Sequence, residues 1–374
     1  MLSTLMMSFA LLGVIGILWV LYGYSLSFGP DLGGFIGKLD WVGLRGVGQA
    51  ASEVYASTVP HLAFMIFQAM FAIITVALWT GGVVERAKFS GFLILSVLWL
   101  TVVYCPIAHW VWGQGGWLAA LGSLDFAGGA VVHINAGMSA LALAFILGPR
   151  RGFKDGEPME PHNIPMVVLG AGLLWFGWFG FNAGSALTSG GLASSAFVAT
   201  TLSASAAAVT WMALGWIGRR PSALGVATGV VAGLVAVTPA AGFIEPLAAI
   251  PIGIIASVIC YYCMLLRVRW GVDESLDVWA VHGMGGIWGA VATGLFATVA
   301  VNSAGSDGLF WGNAMQLVRQ LAGVGAVAVY AFGATWVLGK IVDITVGLRV
   351  SEDEEVVGLD ISQHGERAYG GLSS

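Results

Sequence analysis

The sequence predicts an all-α polytopic membrane protein that crosses the bilayer about ten times. Hydrophobic residues make up 58% of the 374 positions and charged residues 9%, whereas soluble domains carry about 25% charged residues. So few charges cannot coat a water-soluble globule of this size, which excludes an ordinary cytosolic enzyme, a nucleic-acid binder and a disordered chain. Two further observations support this class: long apolar runs, and basic residues in every second connection between them.

The apolar runs are long enough to cross a bilayer as helices, because a span needs about 20 apolar residues. An outer-membrane barrel would instead show short alternating segments. The first run is no signal peptide, since the first positive residue is Lys38 and the run is too long for the apolar part of one. The predicted spans are 1–28, 61–84, 89–112, 126–148, 163–187, 192–218, 222–241, 246–266, 276–300 and 314–346.

Basic residues mark alternate connections between these spans. The positive-inside rule places those connections in the cytoplasm, and ten spans then place both termini there. The chain therefore divides into a transmembrane domain, 1–348, and a polar, acidic cytoplasmic tail, 349–374, either loose or docked under the helices. The basic set comprises Arg86, Lys88, Arg150, Arg151, Lys154, Arg219, Arg220, Arg267, Arg269 and Arg349.

Two histidines, His133 and His282, lie inside apolar runs, where an ionisable group costs at least ~2.5–3.5 kcal/mol. Each belongs to a Val-His-x-x-x-Gly pattern. By the predicted topology their spans are antiparallel and the two residues lie on opposite sides of the bilayer midplane. This pattern indicates an inverted repeat with a functional site near the middle of the membrane. The alternative is that each histidine merely hydrogen-bonds a neighbouring helix.

Acidic residues precede both histidines: Asp125 by eight positions and Asp277 by five. Asp125 stands at the start of its span, so we expect it to cap the N-terminus of that helix, with direct cation coordination as the alternative. Asp277 also starts its span, on the cytoplasmic side. His61 and His109 lie at span entrances and are expected to be positional.

Aromatic and small polar residues collect toward the predicted outer ends of three spans. Aromatic faces attract a cation by roughly 0.5–2 kcal/mol, and a serine hydroxyl adds an acceptor. Such a mouth suits a weakly hydrated monovalent cation, although an aromatic belt at the membrane interface has the same composition. The residues are Phe67, Gln68, Phe71, Trp112, Trp178, Phe181, Asn182 and Ser185.

The sequence carries no signature of an enzyme, a metal site or a cofactor. A P-loop, an HExxH motif and a nucleophile elbow are all missing. His133 and His282 have no Cys or carboxylate at metal-ligand spacing. Cys260 and Cys263 form a CxxC inside an apolar run, where helix packing is the expected role, and the third cysteine is Cys105.

Many motifs, in order along the chain, resemble those of the ammonium transporter family, which includes methylammonium permeases and Rhesus proteins. They include TGGVVERAKFSG, PIAHWVWG, LDFAGGAVVHINAG, LLWFGWFGFNAGSA and DVWAVHGMGGIWG. The resemblance implies the ammonium-transporter fold, a homotrimer with one path per subunit, and a PII-type regulator at the cytoplasmic loops and tail. It implies an outer substrate site of Trp112, Ser185 and Phe71, a gate of Phe71 and Phe181, a pore pair of His133 and His282, and support by Asp125.

The resemblance also shows one departure. The family usually has eleven spans, and this chain begins with MLSTLMMSF, where the second helix of the family begins. The first helix is absent, so we expect either a shortened chain or a ten-helix variant with an incomplete inverted repeat.

The expected function is ammonium uptake through the cell (inner) membrane. Ammonium, or methylammonium, would be recruited at the mouth, lose a proton near the gate and pass the two histidines as ammonia, since a bare ion in an apolar throat is costly. Whether net charge crosses is left open. The alternatives are an ammonium sensor that conducts little and a Rhesus-like channel for neutral gas.

Overall fold

The computed structural model describes residues 1–218 and 220–369; the predicted basic residue Arg219 and the last five residues of the tail lie outside the described part. Each of the ten predicted apolar runs is helical. Long apolar sequences form helices in lipid because only intrahelical hydrogen bonds satisfy the backbone there. The prediction of an all-α polytopic membrane protein is therefore confirmed.

The membrane helices are numbered here in chain order together with three short helices that lie between or after them. They are α1 Leu2–Phe28, α2 His61–Gly82, α3 89–112, α4 Trp117–Leu121, α5 Gly129–Leu147, α6 Ile164–Ala186, α7 Gly191–Gly218, α8 Ala223–Val237, α9 Pro246–Arg269, α10 279–296, α11 Ala314–Thr345, α12 Glu352–Val357 and α13 Leu359–His364. Short antiparallel pairs, β1 Asp31–Leu32 with β2 Ile36–Gly37 and β3 Ala51–Ser52 with β4 Ala56–Pro60, shape the loops between α1 and α2.

Eight helices of the described part are long and apolar enough to cross a membrane by themselves. The other two predicted spans, 222–241 and 276–300, correspond to α8 and α10. Most residues of these two helices are buried between other helices. A helix surrounded by protein needs a less apolar surface than one that faces lipid, which accounts for their shorter, glycine-rich sequences.

Burial separates the centre of the bundle from its rim. Helix α5 is 78% buried over its membrane window, whereas α6 is 6% buried and presents apolar side chains outward. Helix α5 packs on α10 and α11, and α7, α8 and α9 pack closely on one another. The centre is therefore built around the helix that carries His133.

The described part of the tail is docked against the helices. Arg349 donates hydrogen bonds to the Leu147 carbonyl (2.7 Å) and to Glu355 (2.7 Å). Ser351 and Glu354 form a capping box that starts α12. Residues 349–369 of the tail are therefore docked against the helices and not loose.

Candidate functional site

The two histidines of the repeated pattern meet in the centre of the bundle. The Nδ1 atoms of His133 and His282 lie 3.2 Å apart and their ring centroids 5.2 Å apart. Both rings are buried, with 1% and 8% of each residue exposed. Because a hydrogen bond between two Nδ1 atoms needs one donor and one acceptor, the neutral pair shares a single Nδ1 proton.

Each histidine lies in a π-helical segment, Gly129–Ile134 in α5 and Trp279–Gly283 in α10. Such segments are rare and are frequent at functional sites, because the extra residue in the turn re-aims a side chain. Regular α-helical periodicity does not predict them. The π-helical turns therefore orient both imidazoles toward each other.

The glycines of the two Val-His-x-x-x-Gly patterns allow the helices to cross this closely. A Cβ on Gly137 would collide with the backbone of Gly283. A Cβ on Gly286 would lie 2.9 Å from the Gly129 carbonyl oxygen and 3.1 Å from the Cβ of His133. Each pattern thus supplies one histidine and the gap that admits the other helix, as expected for two related halves.

Asp125 caps the N-terminus of α5 with both carboxylate oxygens. Oδ1 accepts from the backbone N–H groups of Gly128 (2.8 Å) and Gly129 (2.6 Å), and Oδ2 from those of Ala130 (2.8 Å) and Val131 (3.1 Å). These bonds satisfy donors that a helix start leaves free. Its backbone carbonyl also accepts from the indole of Trp112 at 2.8 Å.

The counterpart of Asp125 in the second half is Glu274, which the sequence analysis missed. Glu274 precedes His282 by eight residues, the spacing that separates Asp125 from His133, and its Oε2 accepts from the backbone N–H of Trp279 at 3.0 Å. Asp277 instead pairs with Arg267 at 2.8 Å. Burial raises the pKa of Glu274 to about 7, helped by the charge of Asp277. The equal spacing was the signal in the sequence.

A cavity of about 210 Å³, hereafter the mouth, lies beside Phe71. Its lining includes Phe67, Gln68, Phe71, Trp112 and Ser185. The rings of Phe71 and Trp112 are perpendicular, with centroids 5.5 Å apart and planes at 87°. The mouth thus combines aromatic faces with a few polar atoms and no free carboxylate, because the Asp125 oxygens are engaged with backbone N–H groups.

A column of rings connects the mouth with the histidine pair. Phe71 stacks on Phe181 at 4.4 Å, Phe181 lies 6.0 Å from His133, and His133 lies 5.2 Å from His282. Trp178 backs His133 at 5.3 Å with planes 22° apart. The stacked phenyl rings separate the mouth from an apolar interior in which the imidazole nitrogens are the polar groups of the column.

Two residues that the sequence grouped with the mouth lie elsewhere. Trp178 is buried beside His133 and donates to Thr238 at 2.9 Å. Asn182 is buried against α7, where its Nδ2 donates to Thr200 at 2.9 Å. Trp178 precedes Ser185 by seven residues, about 10 Å of helix rise, and so lies at the level of the histidines and not of the mouth. Asn182 is turned about 100° from Phe181, toward α7.

His61 and His109 join α1 and the segment after it to α2 and α3. The Nε2 of His61 bonds the hydroxyl of Tyr24. The ring of His109 bonds the Ser27 carbonyl through Nδ1 and Asp31 through Nε2, each at 2.9 Å. The hydrogen bond from His109 lowers the pKa of Asp31.

An ion-pair network closes the opposite end of the bundle. Arg86 is buried and donates to oxygens of Gly82, Gly148 and Asp273, among others. Arg150 donates to both carboxylate oxygens of Asp273, at 2.9 Å each. Burial works to raise the pKa of Asp273, but the bonds from Arg150 outweigh it and the pKa lies below its usual value. The network ties the α9–α10 connection, which includes Glu274, to two other loops.

Among the described residues no group of three or more His, Cys, Asp or Glu side chains is arranged to hold a metal ion. Cys260 is buried with its Sγ 3.8 Å from the Val281 carbonyl oxygen, and Cys105 is buried as well. Their surroundings are those of helix-packing residues.

Comparison with known proteins gives a consistent result. The sequence model of the Ammonium Transporter Family matches residues 1–369. The chain is 50% identical over 370 residues to an ammonium transporter of Bacillus subtilis, covering 98% of this chain and 90% of that protein. The crystal structure of Saccharomyces cerevisiae Mep2 superposes with a TM-score of 0.88 and 38% identity, covering 94% of this chain and 80% of that one. A structure described as a sensor Amt protein superposes with a TM-score of 0.83 and 28% identity, covering 97% of this chain and 88% of that one.

Proposed function

Because this chain belongs to the ammonium transporter family, whose members are membrane transporters or channels and not enzymes, we propose a route by which it transports ammonium. The route begins at the mouth, crosses the Phe71–Phe181 pair and follows the histidines. The observation that supports it is the column of rings from Trp112 to His282, which we interpret as one passage with a cation-binding end and an apolar middle.

Ammonium is recruited at the mouth by Trp112, Phe71 and Ser185. The indole and phenyl faces attract the cation, most strongly once it sheds water. Ser185 donates its own hydroxyl proton to the Phe181 carbonyl at 2.8 Å, so its oxygen lone pairs are available to an N–H of the ion. Asp125 supports the site indirectly, by holding the start of α5 and the indole of Trp112.

Deprotonation follows at the gate of Phe71 and Phe181. Removing the water around a cation is very costly when only phenyl rings and an apolar throat replace it. Removing the water around neutral ammonia costs much less. Ammonia then passes along His133 and His282, which give it nitrogen partners in an otherwise apolar passage. Support comes from their burial and from their short Nδ1 separation of 3.2 Å.

The proton has two routes, which differ in net charge. The linked imidazoles relay it inward, and charge crosses the membrane, or it returns to the outside, and passage is electroneutral. We test this by replacing both His133 and His282 with Asp or Glu and recording ammonium-evoked current on solid-supported membranes. A lost or altered current is expected, and an unaltered current in the double variant would exclude a role for the pair.

A sensor is the second candidate, favoured by the structural similarity to the sensor Amt protein. Such a protein would bind ammonium at the same mouth and conduct little. Tight binding with low methylammonium uptake would identify it. A Rhesus-like channel for neutral gas is a third candidate, which Trp112 and Ser185 disfavour because they suit a charged ion. Comparing methylammonium uptake with neutral-gas flux separates the two.

We further propose that three copies assemble, each with its own passage. Helix α6 supports this, since an apolar helix that is 6% buried within one chain offers a surface to a neighbour. Native mass spectrometry in detergent tests the trimer.

We place the protein in the cell (inner) membrane, with residues 1–348 as the transmembrane domain and the tail from 349 in the cytoplasm. A PII-type regulator would bind at the basic loops and this tail, which pulldown with the purified regulator would reveal.

A further inference from the structure

We propose that Gln68 determines the specificity of the mouth, because its amide oxygen accepts a hydrogen bond from the recruited ammonium ion. The inference rests on the proposed function of the mouth and adds a residue to it. Gln68 lines the mouth, is 8% exposed, and its Oε1 has no hydrogen-bond partner within the described residues. A buried acceptor without a partner costs free energy and calls for an explanation.

The helix places this amide next to the aromatic site. Gln68 precedes Phe71 by three residues on α2, so the two side chains lie one above the other on the same face. Phe67 belongs to the same turn, and its ring meets that of Phe71 with centroids 4.9 Å apart. Gln68 is thus a polar side chain set among aromatic ones, directly above the gate.

Other buried glutamines of this chain have their hydrogen bonds satisfied. Gln320 accepts from the backbone N–H of Leu124 at 2.6 Å and donates to the Leu124 carbonyl at 2.7 Å. Gln316 donates to the Gly122 carbonyl at 2.9 Å. The fold therefore supplies partners where a glutamine is structural. Gln68 is different because its Oε1 has no partner within the described residues while the residue lines a cavity that a ligand can enter.

An oxygen acceptor adds a selectivity that aromatic faces lack. Ring faces attract small cations without regard to direction, so Trp112 and Phe71 alone would hold potassium as well. Potassium gives up its hydration only to a full cage of oxygens. Gln68 and Ser185 together offer two acceptors, too few for that cage but matched to N–H donors of ammonium. The pair thus favours an ion that donates hydrogen bonds.

The test compares Gln68→Met with the unaltered protein in detergent. Ammonium and potassium binding are each measured from the rise of the unfolding temperature with the chloride salt, against sodium chloride at the same concentrations, because a ligand that binds the native state stabilises it. This readout needs no conduction, so it stays informative if the protein proves to be a sensor. Met70→Leu is the control, since Met70 is on the same helix and 46% exposed.

We expect the ammonium dissociation constant of Gln68→Met to rise about tenfold and its preference for ammonium over potassium to fall. Without ammonium the variant should unfold at the same or a higher temperature, because the unpartnered oxygen is gone. Met70→Leu should change neither quantity. An unchanged dissociation constant, or a lower unfolding temperature with unchanged binding, would overturn the proposal and give Gln68 a structural role.

If Gln68→Met does not fold, Gln68→Leu replaces it with the same readouts and the same expected results. Ammonium-evoked current in proteoliposomes separates this proposal from the proposed function. A wild-type protein that binds ammonium but carries no current would contradict transport. The proposal for Gln68 would then still be decided by the binding measurement.

Discussion

Replacing Gly137 with alanine tests the helix crossing that brings His133 and His282 together. The added Cβ would collide with the backbone of Gly283, in the π-helical segment that carries His282. Neither backbone can turn away as a side chain could, so α5 and α10 must separate by roughly 1 Å to restore van der Waals contact. Overpacking of this kind costs about 1–3 kcal/mol.

The separation should also disturb the histidine pair. The Nδ1 atoms are 3.2 Å apart, so an added ~1 Å removes the hydrogen bond between them. We expect a lower unfolding temperature and an ammonium-evoked current reduced roughly 10–100-fold, by analogy with the effect of a ~1 Å misplacement on catalysis.

The matched control is Gly325→Ala on α11, an exposed position where a Cβ would meet nothing within 4 Å. Alanine is preferred to glycine in a helix by about 1 kcal/mol, so this variant should be as stable as the wild type or more so, with full current. Differential scanning fluorimetry in detergent and solid-supported membrane recordings provide both readouts. A Gly137→Ala protein with wild-type stability and current would refute the reasoning.

Further predictions concern the mouth and the charged end. Trp112→Leu should raise the half-saturating ammonium concentration by about 2–30-fold, the equivalent of 0.5–2 kcal/mol, with a smaller effect on the maximal current; an unchanged half-saturation would contradict recruitment by the indole. Arg150→Met should lower stability by ~3–5 kcal/mol at neutral pH, because the buried Asp273 loses its partner. Since the pKa of Asp273 is depressed, this contribution is present above the ordinary carboxyl range and lost as pH falls through the lower folded value, so the two unfolding curves should converge in acid. The pH dependence of stability that comes from Glu274 has the opposite sign. Its pKa is raised from 4.5 to about 7, so the native state binds a proton more tightly than the unfolded state and stability falls as pH rises through this range. Glu274→Gln should remove that decline, and an unfolding temperature with the wild-type pH profile would contradict it.

The sequence alone determined the spans and the candidate polar residues within them. Hydropathy is a local property, because each side chain meets lipid or protein independently of distant residues, and ten runs of about 20 apolar residues could therefore be located one by one. His133 and His282 were identified for the same reason, since an ionisable residue in an apolar run is conspicuous wherever the run packs. The similar patterns around them also indicated that the two helices are related.

The tertiary structure decided which of those residues meet. His133 and His282 are 149 positions apart, and their contact depends on two π-helical turns and on Gly137 and Gly286 admitting the opposite helix. The exclusion of Asn182 from the mouth depends equally on how α6 faces its neighbours. Helix composition does not specify the rotation of one helix against another, because that rotation is set by the packing of side chains from both.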